Sequence, residues 1–115
     1  MALTITTVVF DSADPVPLGT WWAEQFGAEV TGTNDGWFVT VAGGTLPVGL
    51  AFQKVPDPTP GKNRLHLDVN ADDRAAAVER LLAAGATAVD EHTMGDFTWT
   101  VLADPQGNQF CVFTH

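Results

Sequence analysis

The sequence predicts an α+β domain made of two tandem copies of one strand-helix-strand-strand-strand (βαβββ) unit. Three observations predict it. Short segments rich in Val, Thr, Ile and Phe alternate apolar with polar residues, as half-buried strands do. Two longer segments carry apolar stripes at helical spacing, each closed by a glycine. The second half of the chain then repeats the first in the same order, and such a repeat is the step that fixes an architecture.

Taken in order, Leu3 to Phe10 is the first strand. Asp14-Pro15 opens a helix, with a carboxylate at the N-cap and proline at the first helical position, where its missing N–H costs nothing. Leu18, Trp21, Trp22 and Phe26 form the stripe of that helix, and Gly27 ends it. Trp22 is expected in the core and Trp21 toward a dimer interface. Strands follow over Ala28–Gly32, Trp37–Ala42 and Val48–Val55, with turns at Asn34-Asp35-Gly36 and Gly43-Gly44. The stretch PDPTPGKN (56–63) is a stiff, extended connector.

The pattern then restarts. Arg64 to Asn70 is a strand, and a helix begins at Asp72 or Asp73. Its stripe is Ala75, Val78, Leu81 and Leu82, and Gly85 stops it. Ala86–Asp90 and Phe97–Ala103 are strands, joined by the polar stretch DEHTMGD (90–96), which reads as a loop carrying Glu91 and His92. Asp104-Pro105-Gln106-Gly107 is a turn, and Asn108 to Thr114 is the last strand.

Laid over one another, the halves match Thr7 with His66, each seven residues before a helix-capping Asp. Trp37 matches Trp99, and Gly49 and Cys111 each lie twelve residues further on. A single unit of this kind has a sheet with one face under its helix and the other bare. Two bare faces brought together enclose a cavity. The 115 residues therefore form one domain: module 1 over about 1–55, the linker 56–63, and module 2 over about 64–115.

Composition excludes several functions. Five Lys and Arg against fourteen Asp and Glu give a net charge of −9, which argues against nucleic acid and anionic membranes as partners. No apolar run is long enough to span a membrane. The start MALTITTVVFD lacks a basic segment and a cleavage site and reads as a strand, not a leader. Cys111 has no cysteine partner within the chain and fits a reducing cytoplasm.

The chemistry concentrates in KNRLHLDVNADD (62–73). Leu65, Leu67 and Val69 alternate with Arg64, His66 and Asp68, so one face of this strand is apolar and the other carries a cation, an imidazole and a carboxylate. A carboxylate beside an imidazole fixes its tautomer, the arrangement that general-base catalysis uses. His66 and Asp68 are the catalytic candidates. The competing reading is an interior histidine with only hydrogen bonds to make, beside an Arg64–Asp68 ion pair at the sheet edge. Trp37 and Trp99, if inward, offer two flat walls to an aromatic ligand; filling core space is the alternative. Gln53 shares the face of Gly49, and Cys111 reads as a small buried hydrophobe.

The strand RLHLDV, the helix and Gly-Ala after it, and the closing DPQGNQFCVF resemble the vicinal oxygen chelate superfamily. This is the group of glyoxalases, bleomycin resistance proteins and dioxygenases. Within it the chain is similar to short glyoxalase-like proteins of actinobacteria. The resemblance implies paired βαβββ modules in a cupped, mostly antiparallel eight-stranded sheet around a cavity, with helices outside and frequent homodimers. It also implies four metal-ligand positions, which fall on Thr7, Gly49, His66 and Cys111. Thr7 stands where histidine is expected, Gly49 where a carboxylate or amide is, and Cys111 where glutamate is. His66 and Cys111 make two donors, whereas zinc or iron needs at least three from the protein.

No metal or other cofactor is therefore expected. The expected function is binding of a small organic ligand between the modules by Thr7, Trp37, Gln53, Arg64, His66, Trp99 and Cys111. One alternative is a metal-free isomerase, cyclase or lyase with His66 as acid and base. A second is a divalent-metal glyoxalase or dioxygenase-type enzyme.

Overall fold

Each half of the chain folds on itself in the computed structural model, which describes residues 5–62 and 65–114. The units are Met1–Thr59 and Pro60–His115, and the break falls inside the proline-rich connector.

The first unit runs β1 (Thr7–Ser12), α1 (Pro15–Gln25), β2 (Glu29–Gly32), β3 (Phe38–Ala42) and β4 (Gly49–Lys54). Its four-stranded sheet has the order β1-β4-β3-β2, with β1 parallel to β4 and the other pairs antiparallel. The alternation of buried Val39, Val41, Leu50 and Phe52 gives the sheet an apolar face, and α1 covers it. Gly19 lets the helix come close: a Cβ there would stand 2.8 Å from Val39 Cγ1 and 3.2 Å from Phe52 Cδ2. Rings fill the space beneath. Phe10 meets Trp22 at 5.3 Å and Phe52 at 4.9 Å between centroids, and Trp22 stacks on Phe26. Trp21, which the sequence places toward a dimer interface, is buried within its own unit, edge-on to Trp22. Phe26 lies four residues after Trp22 and so shares its side of the helix. At the helix end Gly27 adopts φ 62° and the Ala28 N–H donates to the Ala23 carbonyl, the left-handed closure that the sequence predicts. At its start, Ser12 Oγ accepts from the Asp14 N–H, and Asp14 itself makes no capping bond.

The second unit runs β5 (Leu67–Asn70), α2 (Arg74–Ala83), β6 (Thr87–Met94), β7 (Phe97–Ala103) and β8 (Gln109–Phe113). Its order β5-β8-β7-β6 repeats that of the first, again with one parallel pair, β5 with β8. Here the Asp73 carboxylate caps α2 by accepting from the Ala76 N–H at 3.1 Å. Buried Leu81 of α2 belongs to the same core as Leu102, Phe110 and Val112. Arg74 reaches past them to Glu91 Oε1 at 2.8 Å and Thr100 Oγ1 at 2.7 Å. Asp104 fixes the β7–β8 turn: its carboxylate accepts from the N–H groups of Gln106 and Asn108 and from Asn108 Nδ2.

One element differs from expectation. The stretch DEHTMGD is strand rather than loop, since β6 continues to Met94 and reverses through Gly95-Asp96 into β7. Gly95 at φ 62° supplies the positive φ that a two-residue hairpin turn needs. β6 is an edge strand, and edges are kept polar, so polarity there does not signal a loop. Among the described residues, no helix is long and apolar enough to cross a membrane.

Candidate functional site

In the second unit, strand register sorts the functional side chains onto one face. Arg74, Glu91 and Thr100 join on the α2 side. Period-two alternation then places His92, Trp99, Val101, Cys111, Phe113, Asp68 and Asn70 on the opposite side. Two rows cross the sheet there. One reads Asn70, Phe113, Trp99, His92; the other reads Asp68, Cys111, Val101, Asp90. The first is aromatic: His92 stacks on Trp99 at 5.2 Å and 27°, while Phe97 lies 5.8 Å from both Trp99 and Phe113. His92 Nε2 is also 3.2 Å from Asp90 Oδ2. Of this aromatic row, the sequence points only to Trp99 and, as a loop residue, to His92. The missed signal is the spacing of Phe97 and Trp99, two residues apart on one strand.

His66, immediately before β5, and Asp68 project on the same side, with His66 Nε2 3.3 Å from Asp68 Oδ1. Both are exposed. Asp68 is the register partner of buried Cys111 on β8, and the Cys111 thiol is hydrogen-bonded to its carboxylate. Burial pushes the Cys111 thiol above its ordinary pKa, and the Asp68 charge and hydrogen bond push it further; the Lys62 ammonium opposes them. Cys111 is thus held protonated at neutral pH and is not an activated nucleophile. The nearest ligating atoms of His66, Asp68 and Cys111 all lie within 4.8 Å of one another. Arg64, the remaining candidate on this strand, lies outside the described residues.

In the first unit Thr7 pairs with Gly49, and Gln53 lies between Asp11 and Phe38. All belong to the sheet face turned away from α1. Trp37 does not join them. It precedes β3, is 62% exposed, and has the Lys54 ammonium 5.2 Å above its ring. The registers explain why. Thr7 pairs with Gly49, and extending the Leu67–Phe110 pairing by one residue sets His66 beside Gln109. With Thr7 equivalent to His66, Phe38 takes the place of Trp99 and Ala51 the place of Cys111. The sequence alignment of Trp37 with Trp99 is therefore one residue out, and that of Gly49 with Cys111 is two out. A one-residue slip moves a side chain to the other face of a sheet.

This settles which positions can supply donors. Ala51 offers a metal ion nothing, as Gly49 would have, and Thr7 is a poor donor. The second unit offers an imidazole, a carboxylate and a thiol, because Asp68 adds to the two donors counted from the sequence. That donor set fits a zinc-like divalent ion.

The twice-repeated β-α-β-β-β order, with a parallel outer pair in each sheet, now has a counterpart. A family model described as a glyoxalase-like domain matches residues 7–113. The chain belongs to the glyoxalase-like family. Solved structures agree on the fold of this glyoxalase-like protein. A glyoxalase/bleomycin resistance protein/dioxygenase family enzyme from Burkholderia phytofirmans PsJN superposes with a TM-score of 0.75 at 20% identity, covering 95% of this chain and 96% of that one. A superfamily member from Sphaerobacter thermophilus gives 0.74 at 19% identity, covering 99% and 98%. A bleomycin resistance determinant encoded on transposon Tn5 gives 0.67 at 17% identity, covering 98% of each chain. No curated protein matches the chain.

Proposed function

We propose that this glyoxalase-like protein binds a small, flat organic molecule on the face of the β5-β8-β7-β6 sheet that lies away from α2. The observation that carries this reading is the aromatic row of Phe97, Trp99 and Phe113 with His92 stacked at its end. Rings in such a row offer a flat surface to a π-system, and the polar groups beside it (Asp68, Asn70 and Asp90) offer orienting contacts. The bleomycin resistance determinant among the structural relatives lends the reading a precedent of fold. Native mass spectrometry of freshly purified protein tests it directly. A co-purified organic molecule that quenches tryptophan emission on re-addition is expected. If neither a retained molecule nor any quenching by a panel of planar ligands appears, the reading fails.

One observation favours a second reading, acid–base turnover without a metal, of isomerase, cyclase or lyase type. Asp68 holds His66 through Nε2. With the Nε2 proton directed at that carboxylate, Nδ1 is the nitrogen left to take a proton from a bound substrate. On this reading His66→Gln loses turnover by about 10²–10⁴-fold while ligand affinity is nearly kept. On the binding reading there is no turnover to lose, and only ligand affinity responds. The free thiol of Cys111 supports a reducing compartment, and the homodimer implied by the family resemblance is checked by light scattering.

A further inference from the structure

The second unit carries two imidazole–carboxylate pairs, one toward each edge of its sheet. His66 with Asp68 belongs to β5 and its approach, and Asp90 with His92 belongs to β6. Only the second pair stands at the aromatic row. His92 is the register partner of Trp99 and stacks on it. His66 is level with Gln109, four residues short of Phe113 along β8. At strand rise that is about 13 Å. A flat molecule lying on the row therefore has one imidazole at its edge and the other far away. We infer that His92, held by Asp90, is the general base for such a molecule, and that the step is removal of a proton from a carbon of a flat substrate. This rests on the binding reading, and it assigns the chemistry to a pair other than His66 and Asp68.

A bulge turns the pair toward the row. Ala88 pairs with Leu102 and the next pair is Asp90 with Val101, so Val89 is an extra residue in β6. Without it, Asp90 and His92 would fall on the α2 side with Leu102. The inserted residue exchanges the faces and brings both onto the side of Trp99. The pair is then fixed from two directions. The Glu91 N–H donates to Asp90 Oδ1 at 2.8 Å, which leaves Oδ2 for His92 Nε2 at 3.2 Å. On the opposite face Arg74 binds both Glu91, at 2.8 Å, and Thr100, at 2.7 Å. Glu91 and Thr100 are the register pair next to His92 and Trp99, so this clamp holds the edge strand where the imidazole stacks.

With the Nε2 proton directed at Asp90, the lone pair is on Nδ1. That lone pair lies in the plane of the imidazole, and the plane is within 27° of the Trp99 ring. It points along the aromatic floor rather than into the sheet, which is the direction of a C–H bond at the rim of a molecule lying flat. The step balances without a further reagent. Nδ1 takes the proton, and the C–H electron pair enters the conjugated system of the substrate. There it either draws a proton to another atom, giving an isomer, or expels a leaving group, giving an elimination. The imidazolium, facing the Asp90 carboxylate, returns its proton to that atom, to the leaving group or to water. The substrate class is thus a flat, conjugated carbon acid.

The test uses 5-nitrobenzisoxazole, a flat bicycle that a general base opens. Loss of its ring C–H proton forms a nitrile as the N–O bond breaks to a coloured phenolate. Full-length protein is expected to open it at least about a hundredfold faster than equimolar free imidazole. His92→Ala should lower kcat to the imidazole level. Asp90→Asn should lower kcat at least about tenfold and change KM less than about twofold, a split that mere loosening of the sheet would not give. Glu79→Gln, on the exposed side of α2, should change neither. Circular dichroism checks the fold of each variant. Calorimetry with 6-nitrobenzotriazole, which has the same shape and cannot be opened, reads binding alone. If it does not bind, the binding reading and this inference fall together. Binding with turnover no faster than imidazole, a folded His92→Ala variant with wild-type kcat, or a loss of kcat confined to His66→Gln overturns this inference and leaves the binding reading standing.

Discussion

Asp68 and Cys111 stand side by side across the parallel β5–β8 pair, and the thiol is hydrogen-bonded to the carboxylate. This contact joins a residue that the sequence reads as catalytic to one that it reads as a buried, ligand-binding cysteine.

It sets a pH dependence. In metal-free protein Cys111 binds its proton more tightly in the folded than in the unfolded chain, chiefly through burial and then through Asp68. Stability from this group is therefore fully present below the ordinary thiol pKa and is lost as pH rises through the elevated folded value. Asp68→Asn should shift the midpoint of iodoacetamide alkylation to lower pH, and Lys62→Ala should shift it higher. An unchanged midpoint in Asp68→Asn would remove Asp68 from the account.

The aromatic row gives a contrast between two tryptophans that the sequence treats alike. Trp99→Ala should weaken binding of a planar ligand about ten- to a hundredfold, through lost apolar area and stacking. Trp37→Ala should change it less than about twofold, since Trp37 is exposed under Lys54 and outside the row. Fluorescence or calorimetric titration of both variants decides the matter. Equal losses would disprove the placement.

Gly19 sits where α1 comes closest to β3 and β4. Gly19→Ala adds a helix-favouring methyl worth about 1 kcal/mol. The methyl must nevertheless fit 2.8 Å from Val39 Cγ1, and both Val39 and Phe52 are fully buried. Overpacking costs about 1–3 kcal/mol, so the net expectation is destabilisation by up to about 2 kcal/mol in urea unfolding. A more stable variant would show that the helix can back away freely.

Asp104 is 2% exposed, and its carboxylate accepts hydrogen bonds from three N–H donor groups that shape the β7–β8 turn. Asp104→Ala orphans two backbone N–H groups and should cost about 2–4 kcal/mol. Thermal unfolding of the variant measures this, and a loss under about 1 kcal/mol would mean that the turn holds without it.

Much of this molecule is legible locally. Asp73 as a cap, Gly27 as a helix stop, Phe97–Ala103 as a strand and Asp104–Gly107 as a turn each follow from residues near one another in sequence. His66 and Asp68 were found on one face because strand alternation has a period of two. Edge strand β6 looks like a loop in sequence because its polarity reflects its position in the sheet, which is not a local property.

The α+β class, the doubled βαβββ order and the strand that carries the histidine all follow from local residue patterns. What stands beside that strand follows from long-range packing. Phe38 rather than Trp37, and Ala51 rather than Gly49, occupy the repeat-equivalent places, and Asp68 meets Cys111. The reason is physical: alternation is set within a strand, but register is set between strands dozens of residues apart. A shift of one residue there exchanges the buried and the functional faces.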